Sequence, residues 1–270
     1  MNHEQTLQGI PETMLIPLWA RAAETRRRLP IIKDDKALKR VESLDYNFSK
    51  YDGSWLTQVG VAIRTMLLDT GVRDIVHEKG EVVVINLGAG LDTRFERLKH
   101  IGIAHWYDVD VPEAIELRQR FFTESDRNSF VAGSMFEPDW TEAIDHKGAP
   151  VLIIAEGLFM YFSEKELKPL FQLFAQRFPG ADILFEMLAP FMVGKAAKHE
   201  SLKKMDSPPE FKWGLKDTRD MEDWHPAIRL VNEWNYFDYH KKRWKWLGLL
   251  GRLPVLRPRF ASRIVHLKYV

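Results

Sequence analysis

The chain has 270 residues, with 39 lysines and arginines against 38 aspartates and glutamates. A net charge of +1 offers no general attraction to nucleic acid or an anionic membrane, so neither is an expected partner. Cysteine is absent, which excludes disulfides, thiolate metal sites and a cysteine nucleophile. The opening residues lack a basic leader followed by a long apolar run, and no segment nears the roughly 20 apolar residues of a membrane span. A cytoplasmic protein without a metal centre is expected.

Residues 13–28, 35–45 and 55–78 carry apolar side chains at helical spacing, as with Val59, Ile63, Met66 and Leu67. They precede any strand, so residues 1–80 read as an N-terminal helical extension. The pattern changes at Glu81. Residues 82–87 form a β-branched run suited to a strand buried on both faces, ending in Gly88-Ala89-Gly90. Thr93 and Glu96 have the spacing of a capping box for the next helix. A second strand over 103–110 closes on Asp108-Val109-Asp110 and leads into a helix over 112–123. Strands over 129–132, 151–155 and 181–185 follow, with Ser163 and Glu166 capping the helix between the last two.

Residues 188–233 break this alternation with prolines and scattered charges, and read as a cap inserted after strand five. Residues 234–270 hold two closing strands, over 234–239 and 263–269, the second alternating as an antiparallel or edge strand would. Lys241, Lys242, Arg243 and Lys245, with Trp244 and Trp246, read as a solvated helix face. The whole is one α/β domain: a doubly wound, mostly parallel seven-stranded sheet with its cofactor-binding core over 81–187.

In such sheets ligands collect at the carboxyl ends of the strands, where the order reverses. Gly88 and Gly90 let the backbone turn sharply and approach a ligand. Asp110 follows about 20 residues later, where an acid commonly takes both hydroxyls of a ribose; Asp108 is the next candidate. After Gly90 the chain reads Leu91-Asp92-Thr93, so the third glycine of the dinucleotide fingerprint is missing. Nor does a Tyr-x-x-x-Lys pair stand near strand five. A phosphate-free adenosine ligand is favoured over NAD.

The run from Asn86 to Phe95, NLGAGLDTRF, with Arg97, closely resembles the signature of the leucine carboxyl methyltransferase family, in its bacterial polyketide O-methyltransferase branch. Tyr107–Glu113 is similar to the family's strand-two ending, Glu156–Tyr161 to its strand-four motif, and Thr13–Leu18 with Arg21 and Ala22 to the branch's opening helix. The resemblance implies a Rossmann-like fold that takes S-adenosylmethionine and leaves S-adenosylhomocysteine. It places Gly88, Ala89 and Gly90 under the methionine and ribose, and Asp110 on the ribose. It puts Arg64 and Arg21 at the cofactor carboxylate and Glu156 near its amine. At the adenine the family usually has an Asp-Leu pair; here Ser134-Met135 stands in its place.

The implied reaction is methyl transfer to a carboxyl or phenolic oxygen of a small molecule. A protein C-terminal carboxylate and a non-catalytic cofactor binder are the alternatives. A carboxylate is already ionised near pH 7 and needs no base, whereas a phenol needs one, for which His199 and His225 are candidates. No catalytic base is assigned from sequence. Five of the nine tryptophans lie after residue 210, so Trp213, Trp224 and Trp234 could wall a pocket for a planar acceptor, with Tyr161 beside it. The oligomeric state is left open.

Overall fold

The structure is a computed structural model that describes residues 13–205, 208–252 and 257–270. The N-terminal stretch read for a leader lies largely outside the described residues. Seven strands form one sheet in the order β3-β2-β1-β4-β5-β7-β6. They are β1 (Val82–Leu87), β2 (Ile103–Asp110), β3 (Asn128–Ala132), β4 (Val151–Ala155), β5 (Asp182–Met187), β6 (Ile228–Asn235) and β7 (Arg263–Tyr269). The first five pair in parallel, and β7 runs antiparallel to both β5 and β6. β7 therefore lies inside the sheet rather than at its edge.

The two-sided burial expected of β1 is met by two separate apolar cores. Val83, Ile85 and Leu87 point into one, with Ile153, Phe171, Phe174 and Phe185. Val82 and Val84 point into the other, with Ile63, Leu67, Leu68 and Val72. The latter four belong to α3 (Trp55–Lys79), which follows α1 (Leu15–Thr25) and α2 (Asp35–Ser43) and covers that face of the sheet. The opposite face is covered by the helix Glu164–Arg177, which starts with the capping box between Ser163 and Glu166 read from the sequence. Each fully buried aliphatic or phenyl side chain contributes about 1.5–3 kcal/mol.

Three readings need correction. Thr93 and Glu96 form no capping box at the start of α4 (Arg94–Leu98). The Thr93 hydroxyl bonds Asp34 and accepts from Arg97 instead, and Glu96 pairs with Lys99 at 3.1 Å. The strand expected over 234–239 is displaced, because the Asn235 side chain accepts from the Phe237 N–H and turns the chain into a 3-10 turn over Tyr236–Asp238. Its aromatic residues read as strand, whereas β6 begins at Ile228. The basic run is no α-helix either: Lys241–Arg252 is 3-10 in character and kinks at Lys245, with φ of 51°. One side of it is solvated, but Trp244 is buried and donates to the carbonyls of Tyr236 and Tyr239.

A third apolar cluster lies over the strand ends. Leu15, Leu18 and Trp19 of α1 meet Tyr161, Leu188, Leu202 and Phe211 there. Among the described residues no helix is long and apolar enough to cross a membrane.

Candidate active site

The strand order reverses between β1 and β4, and the register fixes what emerges there. Leu87 pairs with Val109 and with Ala155, so Gly88, Asp110 and Glu156 leave the sheet side by side. Phe185 pairs with Ala155, which sets Glu186 level with Glu156. These residues line one cavity of about 1060 Å³, together with Arg21, Arg64, Ala89, Gly90, Ser134, Met135, Tyr161 and His199. Spacing had grouped Gly88, Gly90 and Asp110, and the family resemblance had added Arg21, Arg64, Ala89, Ser134, Met135 and Glu156. Tyr161 and His199 had been candidates for the acceptor pocket, and Glu186 had not been foreseen.

Gly88 and Gly90 have φ of +63° and +45°, the left-handed region that side chains rarely tolerate. A Cβ on Gly88 would also sit 2.8 Å from the Leu158 side chain. The turn is braced from beneath by Arg118, which donates to the carbonyls of Gly90 and Asp92, each at 2.9 Å, and to Asp108 at 2.7 Å. Asp108 is fully buried and also accepts from Asn86, Trp106 and Asn128. It is a structural anchor with its oxygens turned into the protein.

Asp110 is different. One of its oxygens accepts from the Gly90 N–H and the other from the Val111 N–H, both at 2.8 Å. Each oxygen keeps a lone pair, and the carboxylate lies at the cavity wall, as vicinal hydroxyls require. Burial raises its pKa against the lowering effect of those two backbone bonds.

At the other end of the turn the charges interlock. Glu156 accepts from Arg64 at 2.9 Å and from Arg94, and Arg21 approaches it to 4.0 Å. Burial alone would push the Glu156 carboxyl up; Arg64, Arg94 and Arg21 outweigh it and hold it well below the usual carboxylate range. Arg64 also donates to Glu186 at 2.6 Å, and Glu186 accepts from the Tyr236 hydroxyl at 3.0 Å. Arg21 donates to Asp34 and to the Leu91 carbonyl, both at 3.0 Å. Arg94, Arg97, Asp34, Asp69 and Asp92 complete the network. Sequence reading missed Arg94, Arg118, Glu186 and Tyr236. The signal it had was the charged run Asp92-Thr93-Arg94 directly after a glycine turn, too charged for a helix start that α1 and α3 bury.

Ser134 and Met135 line the cavity after β3. The Tyr161 hydroxyl is pushed up to about 12 by burial, so it stays protonated. Of the residues proposed for the acceptor, Trp213, Trp224 and His225 do not reach the cavity. Trp213 and Trp224 pack on each other at 5.7 Å and on Phe185 and Phe171 in the sheet core; Trp213 Nε1 has no hydrogen-bond partner there. His225 accepts from the Ala227 N–H at 3.1 Å. Trp234 stacks on His266. The aromatic wall comes instead from Phe191, Phe237, Trp244, Trp246 and Phe260.

A seven-stranded sheet of this order, with a glycine turn after β1 and an acid after β2, is the frame of a Rossmann-like methyltransferase. A putative methyltransferase from Thermobifida fusca overlays on it with a TM-score of 0.60 at 14% identity, covering 98% of this chain and 96% of that one. Residues 14–175 match the model of the leucine carboxyl methyltransferase family, and the chain belongs to that family. It is 28% identical over 271 residues to the tetracenomycin polyketide synthesis O-methyltransferase TcmP of Streptomyces glaucescens, covering 98% of this chain and 99% of the relative. It is 27% identical over 249 residues to the S-adenosyl-L-methionine-dependent methyltransferase dpfgK of Gibberella zeae, covering 83% and 81% of the two chains.

Proposed function

We propose that this methyltransferase binds S-adenosylmethionine along the ends of β1, β2 and β4 and methylates a carboxyl or phenolic oxygen of a planar, polyketide-like small molecule. The observation that carries the reading is Asp110. Its carboxylate is locked by the Gly90 and Val111 N–H groups, across a turn whose backbone is bare at Gly88. That arrangement suits a ribose with no pyrophosphate beside it.

The residues present fit the cofactor. Asp110 would take the ribose hydroxyls, and Ser134 and Met135 would flank the adenine. Arg64, with Arg21 behind it, would face the methionine carboxylate through its remaining N–H groups, and Glu156 would face the amine. When bound, S-adenosylmethionine supplies an electrophilic methyl: the acceptor oxygen's lone pair forms the new O–C bond as the C–S pair returns to sulfur. The chain's own part is positioning and exclusion of water. The cavity of about 1060 Å³ exceeds what a cofactor alone fills and has an aromatic rim, which supports a flat acceptor beside it. Of the residues 188–233 expected to form a cap, the part up to Phe211 lines the cavity and would cover that acceptor, whereas Trp213, Trp224 and β6 belong to the sheet, within a single cytoplasmic domain spanning the chain.

Calorimetry tests the assignment. S-adenosylmethionine and S-adenosylhomocysteine should bind and NAD should not, after which a panel of aromatic acids and phenols identifies the acceptor. Saturable NAD binding with no response to S-adenosylhomocysteine would overturn the reading.

A further inference from the structure

His199 lines the cavity alongside Arg64, Tyr161 and Glu186, on a segment whose position is set from outside. The Glu200 carboxylate accepts from the Leu56 and Thr57 N–H groups at 2.9 and 3.0 Å, and the Ser201 hydroxyl donates to that of Thr57 at 2.9 Å. The segment thus rests on the start of α3. Within it the imidazole turns Nδ1 inward, where that nitrogen accepts from the Ser201 and Leu202 N–H groups, each at 3.4 Å. A ring nitrogen that accepts carries no proton, so the single proton of the neutral ring is on Nε2.

We infer that His199 is held as the neutral Nε2–H tautomer and donates that hydrogen bond to one oxygen of an acceptor carboxylate, orienting an oxygen that is already ionised. The inference rests on the methyltransferase reading and assigns this residue's part in it. A nitrogen that bears a proton cannot take one from a phenol. Methylating a carboxylate moves no proton, because the attacking oxygen begins as an anion and ends as a neutral ester.

A second proton is also resisted. Burial and the Arg64 guanidinium push the His199 pKa down to about 4. The charged and titratable groups lining the same cavity are Arg21 on α1, Arg64 on α3, Asp92 after the glycine turn, Asp110 at the end of β2, Glu156 after β4, Tyr161, Glu186 on β5 and Tyr236, with Lys198 and Glu200 on the histidine's own segment. The carboxylates that could favour an imidazolium are engaged: Glu156 and Glu186 by Arg64, Asp92 by Arg94, Asp110 by the Gly90 and Val111 amides, and Glu200 by the α3 amides.

Long-range proton–nitrogen spectra of histidine-labelled protein read the tautomer directly, with His199 assigned by its loss in His199→Gln. The free protein and its S-adenosylhomocysteine complex should both show a neutral Nε2–H ring from about pH 8 to 6. Added 2-naphthoate should shift that N–H downfield. His199→Gln, which keeps an N–H at a similar reach, should hold 2-naphthoate within about threefold of wild type, and His199→Leu about tenfold more weakly. A proton on Nδ1, protonation within that pH range, or a resonance unmoved by 2-naphthoate would overturn the inference. Failure of the wild-type protein to bind S-adenosylhomocysteine would instead sink the methyltransferase reading, and the free-protein spectrum would still report the tautomer.

Discussion

Along the floor of the cavity, Arg21, Arg64, Arg94 and Arg97 interlock with Asp34, Asp69, Asp92, Glu156 and Glu186. Over the roof, residues 190–204 make only short 3-10 turns, tied down by Glu200, Ser201 and a few apolar contacts. The floor's charges are desolvated, so each exists only because its partners do. The roof's contacts are separable and individually weak. A fold arranged this way keeps one wall of the cavity rigid while the opposite wall can change residue by residue.

The sharpest way to break the contrast is Arg94→Met. It leaves Asp69, Asp92 and Glu156 without a shared, fully buried cation. Removing one member of such a group typically costs about 3–5 kcal/mol, read as a large drop in the midpoint of urea unfolding. An unchanged midpoint would mean that the network adds nothing to the fold.

Asp110→Ala tests the floor's binding function with less cost to stability. Charge-assisted bonds to two hydroxyls are worth about 1.5–3 kcal/mol each, so S-adenosylhomocysteine should bind at least about tenfold more weakly. Arg64→Lys should weaken S-adenosylhomocysteine about tenfold through loss of the guanidinium fork, while methylthioadenosine, which has no carboxylate, changes less than about threefold. Equal losses for the two ligands would assign Arg64 to the fold alone.

Acid separates the two kinds of floor carboxylate. Asp34, Asp69 and Glu156 have lowered pKa values. Their stabilisation is complete above the unfolded values of about 4 and is lost as pH falls toward the folded ones. Asp110 has a raised pKa, so the folded state takes up a proton there first and gains relative stability as pH drops. Binding to ribose weakens over the same range. Affinity for S-adenosylhomocysteine should therefore begin to fall above about pH 3.9, before thermal stability does; coincident losses would contradict this assignment.

The smallest effect is expected in the roof. Phe191 is 40% exposed, its ring tilted against that of Phe260 at 4.8 Å. Phe191→Ala should alter stability by no more than about 0.5 kcal/mol and leave S-adenosylhomocysteine affinity unchanged by calorimetry.

The sequence already displayed the glycine turn and the acid beside it. Val82–Leu87 has the unbroken β-branched run of a doubly buried strand, and the spacing from Gly90 to Asp110 follows from one βαβ unit. The charge network was hidden because its members are far apart in the chain; Arg64 and Glu186, for example, are separated by 122 positions. On its own, Arg64 looks like a solvated helix residue. The roof had no periodicity to read, since its turns are too short to repeat a pattern. Tryptophan content pointed to Trp213 and Trp224, which serve the sheet core, and passed over Phe191 and Phe260, which meet the cavity. Composition reports how much aromatic surface a region buries and says nothing of which side it faces.

The Glu200 contact gives the roof a built-in recorder. The amides of Leu56 and Thr57 begin a helix, where such groups normally exchange quickly with solvent. Here they are bonded to a residue 144 and 143 positions further along the chain. Any motion that breaks this contact frees those two hydrogens to swap for deuterium. Amides deep in α3 would be untouched by the event, so the slowing of these two relative to free amides gives the open population, with the deep amides separating it from wider unfolding, in a protein that carries no label.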